Sequence, residues 1–410
     1  MTNINLAKVR FSNNSDVLNP GAAIYNPKSS YVDTLGGDDK ITGTANVSRG
    51  FEVYSFVGAK ASRGQFAIAS AELSGKADVE VYGIKNEGTI NTNNGLDVIK
   101  GSAKANISAT AESVSQAIAF ARRADAVAIT NAFASINIKA TAEGIDNSLG
   151  HIHTGKNNDT IIGDAEGSVS AIALATAVAI AEAPISHGVT AFAKAMATSL
   201  AKASITATGI NNSRGEISTG DGNDTINATA TSSAGAFAGT ISAAIANATG
   251  ENKALAEALV SATAKATDKA IAINNSGGKI DTGVGDDTII AKATGSDSYG
   301  IFGGSINTGH GNDRIFASSF GGGVNIDMGA GNDSVKGFGA AQINGGLGWD
   351  TLDLSDYNFK DFQIKFGGIF GISLNNSVSF QLDGVTLNTT GFEQFNFADA
   401  SYNPLELRLA

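Results

Sequence analysis

The chain has 410 residues, a formal net charge of −11, 50 glycines and no cysteine. The lack of cysteine excludes a disulfide framework and thiolate metal sites, and the acidic balance argues against nucleic acid as a partner, because no basic stripe is available to neutralise phosphates. The chain is 42% hydrophobic but only 7% aromatic, which favours a regular backbone stack with a core of small side chains over a disordered polar chain.

The N-terminal residues, MTNINLAKVRFSNNSDVLNP, contain no apolar segment followed by a small-residue cleavage site. No N-terminal signal peptide is therefore expected, and residues 1–30 are interpreted as an N-terminal capping segment. The most apolar stretch, residues 171–183, is too short to span a bilayer, so no transmembrane segment is predicted.

A loop rich in glycine and aspartate recurs eight times from residue 31 onward. Its copies read YVDTLGGDDKI, TINTNNGLDVI, HIHTGKNNDTI, EISTGDGNDTI, KIDTGVGDDTI, SINTGHGNDRI, NIDMGAGNDSV and QINGGLGWDTL. The shared aspartates are Asp39, Asp97, Asp159, Asp224, Asp287, Asp313, Asp333 and Asp350, spaced by 58, 62, 65, 63, 26, 20 and 17 residues. The spacing divides the repeats into a long-period solenoid at residues 31–290 and a short-period roll at residues 291–351.

Between the loops, the long periods alternate alanine with another residue. Every odd position of residues 171–183 is alanine, and in the next period the alanines occupy even positions such as Ala228 and Ala236. A period of two is typical of a strand and does not fit a 3.6-residue helical face. Residues 251–270, ENKALAEALVSATAKATDKA, keep helix as an alternative, because alanine is the best helix former.

Each long period breaks near its middle, at ASRGQ (61–65), ARRAD (121–125), PISHG (184–188) and TGENK (249–253). This predicts a strand out, a turn and a strand back, with arms that reach about 60 Å at roughly 3.3 Å per residue. The apolar residue two positions after a loop aspartate, such as Ile161, is expected to point into the core. The alanines lie at even spacings from it and therefore on the same face of the strand, so the alanine face should be interior. The outward face is apolar enough to indicate either association or cover by neighbouring arms; it carries Val114, Ile118, Phe120, Val127, Ile129, Phe133, Ile172, Leu174, Val178, Ile180, Phe192, Met196 and Leu200.

Residues 352–410 regain aromatic side chains and strand-like runs such as FQIKFGGIFGISL and SVSFQLDGVTL. They are predicted to form a C-terminal β cap, because an open final rung would expose unpaired backbone groups. The expected fold class is all-β, a parallel β-roll or β-solenoid with long Ala-rich β arms.

The loops resemble the nonapeptide repeat of the RTX, or hemolysin-type, calcium-binding proteins. GGLGWDTLD, MGAGNDSVK, TGHGNDRIF, TGVGDDTII and TGDGNDTIN match best, whereas the first three copies lose or displace a glycine. The resemblance implies Ca²⁺ between stacked turns, held by aspartate carboxylates and backbone carbonyls. It assigns the metal role to Asp224, Asp287, Asp313, Asp333, Asp350, Asp159, Asp97 and Asp39, with Gly222, Gly285, Gly311, Gly331 and Gly348 supplying backbone freedom.

Elementary chemistry agrees with this assignment, since Ca²⁺ prefers several oxygen ligands and such tight turns require positive φ. The turns GIDNSLG, GINNSRG and AINNSGG are interpreted as the opposite turn of each coil. They have no carboxylate at the matching place, so calcium is expected along one edge only. His151 and His153 share a strand face, but no third metal ligand is apparent in the sequence.

These features together favour a secreted structural protein of the cell surface or extracellular matrix that self-associates into fibres or layers through the outward faces of its arms. The segment GFEQFNFADAS resembles the region after RTX repeats, which implies an uncleaved C-terminal signal for type I secretion. No enzyme is expected, because no G-x-S-x-G, H-E-x-x-H or phosphate-loop motif is present. The alternatives are a calcium-dependent adhesin and an enzyme or accessory module acting on a polysaccharide, with a cell-surface polysaccharide as partner.

Overall fold

A computed structural model describes residues 3–62, 66–122, 124–184, 188–249, 253–367 and 377–410. Successive coils stack with parallel strand pairing into two large sheets that face each other. The chain is therefore an all-β parallel solenoid, and the predicted fold class is confirmed. None of the helices in the described ranges is long and apolar enough to cross a membrane.

The N-terminal elements lie on the first long coil, near the Gly/Asp loops. They are strands β1 Ile4–Asn5, β2 Val17–Leu18 and β3 Ile24–Asn26, with a 3₁₀ turn at Leu6–Lys8. β2 and β3 each pair in parallel with one strand of that coil, and Leu6 and Ile24 are fully buried. This segment covers the loop end of the coil and leaves most of its length uncovered.

Four long coils follow, each with an outgoing strand, a returning strand and a three-residue strand before the next Gly/Asp loop. The strands are β4 Tyr31–Asp33, β5 Lys40–Ala61, β6 Phe66–Asn86, β7 Thr89–Asn91, β8 Val98–Phe120, β9 Ala126–Asp146, β10 His151–His153, β11 Thr160–Ala183, β12 Thr190–Asn211, β13 Glu216–Ser218, β14 Thr225–Ala248, β15 Lys253–Asn274 and β16 Lys279–Asp281. The helical alternative for residues 251–270 is wrong, because the described part of that segment lies in β15. Each predicted tip lies partly outside the described residues.

The outgoing strands stack without any shift of register. Thr160 at the start of β11 lies beside Val98 and Thr225, and the pairing of β11 with β14 continues unbroken to Ala183 and Ala248. Identical positions of successive coils therefore form straight columns along the stack, and a residue type repeated at one position becomes a continuous surface.

Alanine columns form the core between the two sheets, as predicted. Ala171, Ala177 and Ala193 are completely buried, and the outward residues of the same strands are half-buried between their neighbours. Near the loops even alanine is too large: a Cβ on Gly163 would collide with the carbonyl oxygen of Gly209 in the facing sheet. The two sheets are thus in direct contact there.

The last long coil departs from this pattern. The alanines at even positions of β15 between Ala254 and Ala266 are exposed, although their parity places them on the interior face. They are exposed because the coil that follows is short and leaves most of β15 without a neighbour on that side.

The short coils and the cap complete the stack at the loop end. Their elements are β17 Thr288–Thr294, β18 Asp297–Phe302, β19 Ser305–Asn307, β20 Arg314–Ala317, β21 Phe320–Asp327, β22 Ser334–Lys336, β23 Gly339–Asn344, β24 Thr351–Leu354, a 3₁₀ turn at Phe359–Asp361, β25 Gln363–Phe366, β26 Val378–Leu382, β27 Val385–Thr390, β28 Gln394–Phe397, β29 Ser401–Tyr402 and α1 Pro404–Leu409. The core of the short coils contains mainly isoleucine and valine, such as Ile301, Ile315 and Val335, whereas the cap has an aromatic core in which Phe380, Phe392 and Phe395 are fully buried. Part of the predicted run FQIKFGGIFGISL lies outside the described residues.

The alanine core gives a direct test of the packing. Replacing Ala177 by leucine inserts a branched side chain between two sheets that have no room for it, and should lower the free energy of unfolding by about 1–3 kcal/mol. The matched control is Val178→Leu, on the outward face of the same strand, which should change stability little. Denaturant unfolding of both variants measures the difference, and equal stability would contradict the close approach of the sheets.

Candidate metal centre

The eight loop aspartates form a single column at the start of the outgoing strands. The backbone N–H of each aspartate donates to Oδ1 of the aspartate in the next coil, at distances between 2.7 and 2.9 Å. We call this set the aspartate column; it consists of Asp39, Asp97, Asp159, Asp224, Asp287, Asp313, Asp333 and Asp350. In-register stacking places them together although up to 65 residues separate neighbours in sequence.

Both ends of the column are closed by other residues. The N–H of Asp16 donates to Oδ1 of Asp39 at 2.8 Å, and the N–H of Asp350 donates to Oε2 of Glu393 at 2.9 Å. Sequence reasoning missed Glu393, which lies in no Gly/Asp motif. No local sequence pattern marks Glu393, because its position at the end of the column depends on the parallel pairing of β28 with β24.

The second oxygen of every carboxylate in the aspartate column is buried and has no hydrogen-bond partner among the described residues. The eight side chains themselves are at most 1% exposed. An unsatisfied buried polar atom is unfavourable, and an ionised one more so. Adjacent rungs are also only about 4.8 Å apart, so two ionised neighbours would repel by about 3 kcal/mol at an effective dielectric constant of about 20.

Burial accordingly disfavours the charged form. It raises the pKa of Asp97 to about 6 and the pKa values of Asp159, Asp287 and Asp333 to about 7. The N–H donated from the preceding coil acts in the opposite direction but does not cancel the effect of burial. The pKa is raised for the same reason in the other members, Asp39, Asp224, Asp313 and Asp350.

The predicted glycines shape the loop in front of the column. Gly222, Gly285, Gly311, Gly331 and Gly348 all have φ between 133° and 149°, and a Cβ on Gly285 would collide with the carbonyl oxygen of Gly222. In the loop before Asp159 the same position is Asn157, whose φ of 76° lies in the left-handed region that asparagine tolerates. The copies that depart from the glycine pattern therefore still place their aspartates in the column.

Another polar column, made of asparagines, is internally satisfied. In the asparagine column, each side-chain amide donates to the amide oxygen of the next coil at 2.6–2.8 Å; its members are Asn26, Asn86, Asn147, Asn212 and Asn275. These turns lie at the same end of the coil as the Gly/Asp loops, separated from them by a three-residue strand, because the arm tips form the opposite end. Their interpretation as the opposite turn is therefore wrong.

A histidine pair gains a third neighbour from the stack. His151 lies beside Glu216 in the pairing of β10 with β13, with Nδ1 of His151 3.1 Å from a Glu216 carboxylate oxygen. One potential ligand atom from each of His151, His153 and Glu216 lies within 4.8 Å of the others, and no other such group of histidine and acidic residues occurs in the described ranges. The expectation that the pair lacks a third ligand is wrong, because the residue lies one coil away. His187 is outside the described residues.

The unpartnered atoms of the aspartate column are of the type that calcium prefers. The donors of the column are all oxygen, the preference of a hard cation, and each rung contributes one carboxylate oxygen that lacks a partner. No protein-family model, curated protein or solved structure matches the chain. The assignment of a ligand therefore depends on the geometry of the column itself.

The raised pKa values predict how calcium-free protein responds to pH. The folded-state pKa of about 7 for Asp159, Asp287 and Asp333, against an ordinary 3.8, means that the folded state holds more protons than the unfolded chain between these values. Their contribution to stability is complete below about pH 4 and is lost as the pH rises through about 7. In chelator, we expect a higher Tm at about pH 5 than at about pH 8. A Tm that rises with pH in this window would contradict the raised pKa values of the buried aspartates.

A single amide substitution separates the roles of the two oxygens. Asp287→Asn keeps an acceptor for the N–H of Asp224 and removes the buried charge, so calcium-free protein at about pH 8 should gain about 1–3 kcal/mol in its free energy of unfolding. The matched control is Asp286→Asn, at the exposed neighbouring position. Denaturant unfolding in chelator measures both, and a loss of stability in Asp287→Asn alone would refute the view that this carboxylate is uncompensated.

Proposed function

We propose that the chain is a calcium-binding structural protein, a solenoid that calcium makes rigid. The observation that carries the proposal is the column of eight buried carboxylates, each with one oxygen that has no hydrogen-bond partner among the described residues. Asparagine and threonine side chains elsewhere in the same coils donate a hydrogen bond to the next coil and so need no ligand. Aspartate is the choice that leaves a carboxylate oxygen for a cation to bind.

The aspartate column would hold the ions, with Asp313, Asp333 and Asp350 in the loops that are most closely spaced in the sequence. Bound calcium would supply positive charge that offsets the repulsion between stacked carboxylates. The chain's own contribution is to align the carboxylates by register, to exclude water from them and to satisfy their other oxygen with a backbone N–H. Folding and calcium binding would then be linked, because the column exists only in the stacked state.

An extracellular location fits this linkage. Sites of moderate affinity stay empty at cytosolic calcium levels and fill at the millimolar levels outside the cell. The resemblance of residues 391–401 to the region after RTX repeats supports export through a C-terminal signal. The long flat arms, whose outward faces are rich in apolar residues, favour a role in assembly at the cell surface or in a matrix over catalysis.

Calcium titration followed by circular dichroism and light scattering tests the proposal. Chelator-treated protein at about pH 8 should gain β-signal and thermal stability as calcium rises to millimolar levels, and should lose both when chelator is added back. Magnesium, which prefers a smaller octahedral site, is the control ion and should be much less effective. A fold and Tm that ignore calcium at this pH would refute a calcium-dependent structural role.

A further inference from the structure

The last long coil has two strand edges that no described strand covers. Of the residues of β14, β17 covers only Thr225–Thr231. Of the residues of β15, β18 covers only those from Lys269 onward. On the side facing the short coils, residues 232–248 and 253–268 therefore present unpaired backbone N–H and C=O groups. We call these two stretches the open edge.

The β14 stretch of the open edge lacks the features that normally protect an exposed strand. β14 contains no charged residue and no proline in its 24 residues, while Phe237, Ile241 and Ile245 are 58%, 63% and 47% exposed. The first long coil forms the opposite end of the stack. There β5 carries Arg49, Glu52 and Lys60, and β6 is similarly charged. Because charge and proline are the usual protection of sheet edges, the uncharged β14 is an edge suited to further pairing. The β15 stretch carries Lys253, Glu257, Lys265 and Asp268, so its partner must match those charges.

The short coils decide the direction in which another strand can approach. They lie directly against the loop end of this coil, so a second chain stacked in the same direction would bring its own loop end into that space. A two-fold axis perpendicular to the sheets removes the conflict, because each chain's short coils then lie beyond the arm tips of the other. That symmetry makes the strands antiparallel and the contact self-complementary.

The sequence of β14 matches this arrangement. The midpoint of residues 232–248 is Thr240, and antiparallel pairing centred there places each large outward side chain opposite a small one. Ile245 meets Gly235, Ile241 meets Gly239 and Phe237 meets Ala243 of the second copy. No atom lies within 4 Å of a Cβ built on Gly235, so space is open beside it.

The sequence of β15 matches the same axis. The number of residues from Thr240 to the end of β14 equals the number from the start of β15 to Ser261. The two residues are therefore equally far from the arm tip, and one two-fold axis passes through both. Pairing centred on Ser261 places Glu257 of each copy opposite Lys265 of the other, so the contact contains two such pairs. On the interior face, exposed alanines then meet alanines, for example Ala258 and Ala264.

We propose that a second copy of this chain binds the open edge, with β14 pairing antiparallel to β14 and β15 to β15 around this axis. The contact continues both sheets into the second chain and covers the exposed alanines of β15. It deepens the proposed structural role by naming the partner and the surface, and it needs the solenoid fold but no particular ion.

A single cysteine tests the register, since the chain has no cysteine of its own. Residues directly opposite in an antiparallel pair have Cα atoms about 4.5–5.5 Å apart, within disulfide reach. Ser261→Cys should therefore form a covalent dimer under mild oxidation. The control is Thr198→Cys, the outward position paired with Ser261 on β12, which would be about 14 Å from its copy and should cross-link at least tenfold less. Equal cross-linking of both variants would overturn the proposal.

Charge reversal tests the interface in solution. Lys265→Glu should weaken the dimer at least tenfold in sedimentation experiments, because it places Glu257 opposite a second glutamate. The fold should tolerate this change, since Lys265 is exposed and lies beside Lys202. Mixing the Lys265→Glu and Glu257→Lys chains should restore dimers, because both cross-pairs are again opposite in sign.

The outcomes separate this inference from the proposed function. A folded, calcium-responsive protein that stays monomeric, or dimers that Lys265→Glu leaves unchanged, would overturn the two-fold edge contact and leave the calcium role standing. Open filaments, or pairing of the open edge with β5 and β6 of another copy, would also overturn it. Dimers of a protein that ignores calcium would support the edge contact alone.

A second inference follows independently from His151, His153 and Glu216. Two imidazoles and a carboxylate are a donor set for zinc rather than for calcium. The two rings lie stacked with centroids 6.2 Å apart, and the carboxylate reaches them from the adjacent coil. The neighbouring cation, Lys279, is directed to Asp281 at 3.1 Å. The geometry points to a surface Zn²⁺ site shared by two coils.

Isothermal titration with Zn²⁺ in saturating calcium tests this site. One Zn²⁺ should bind per chain, and His153→Ala or Glu216→Gln should weaken binding at least tenfold. The control is His310→Ala, an exposed histidine in a Gly/Asp loop, which should leave this binding unchanged. Unaltered Zn²⁺ affinity in His153→Ala and Glu216→Gln would overturn the assignment.

Discussion

In-register parallel stacking of one coil on the next is the constraint on which the whole structure depends. Because each residue lies beside its counterpart in the neighbouring coil, any repeated choice becomes a column. Repeated alanine becomes a thin core in which the two sheets approach closely. Repeated asparagine, threonine and aspartate become polar columns at the loop end of the same coils.

These polar columns differ in what their side chains can offer. An asparagine amide both donates and accepts, so each member satisfies the next, and a threonine hydroxyl donates to the next carbonyl. An ionised carboxylate only accepts. A column of aspartates therefore leaves one buried oxygen per rung without a hydrogen-bond donor among the described residues, and a proton or a cation can compensate it. The proposed calcium role is the consequence of this imbalance at external calcium levels.

The abrupt change from long to short coils has a second consequence. It leaves two strands of the last long coil without a neighbour on one side over most of their length. It also exposes alanines of β15 whose parity places them on the interior face. The two ends of the long coils are not equivalent, since one edge is charged and the other carries no charge on β14. The same step that exposes the open edge also restricts the orientation of any chain that pairs with it.

The amino-acid sequence by itself determined the fold class, the interior alanine face and the eight loop aspartates, because a period of two and a repeated motif are local patterns. It left residues 251–270 open between helix and strand, since alanine has a high helix propensity and only pairing with β12 selects the strand. Tertiary structure alone decided the burial and the unpartnered oxygen of each aspartate, the role of Glu393, the approach of Glu216 to the histidines and the exposure of the β15 alanines. Each of these depends on which coil lies next to which, and that relation is set by register across many residues rather than by any local pattern.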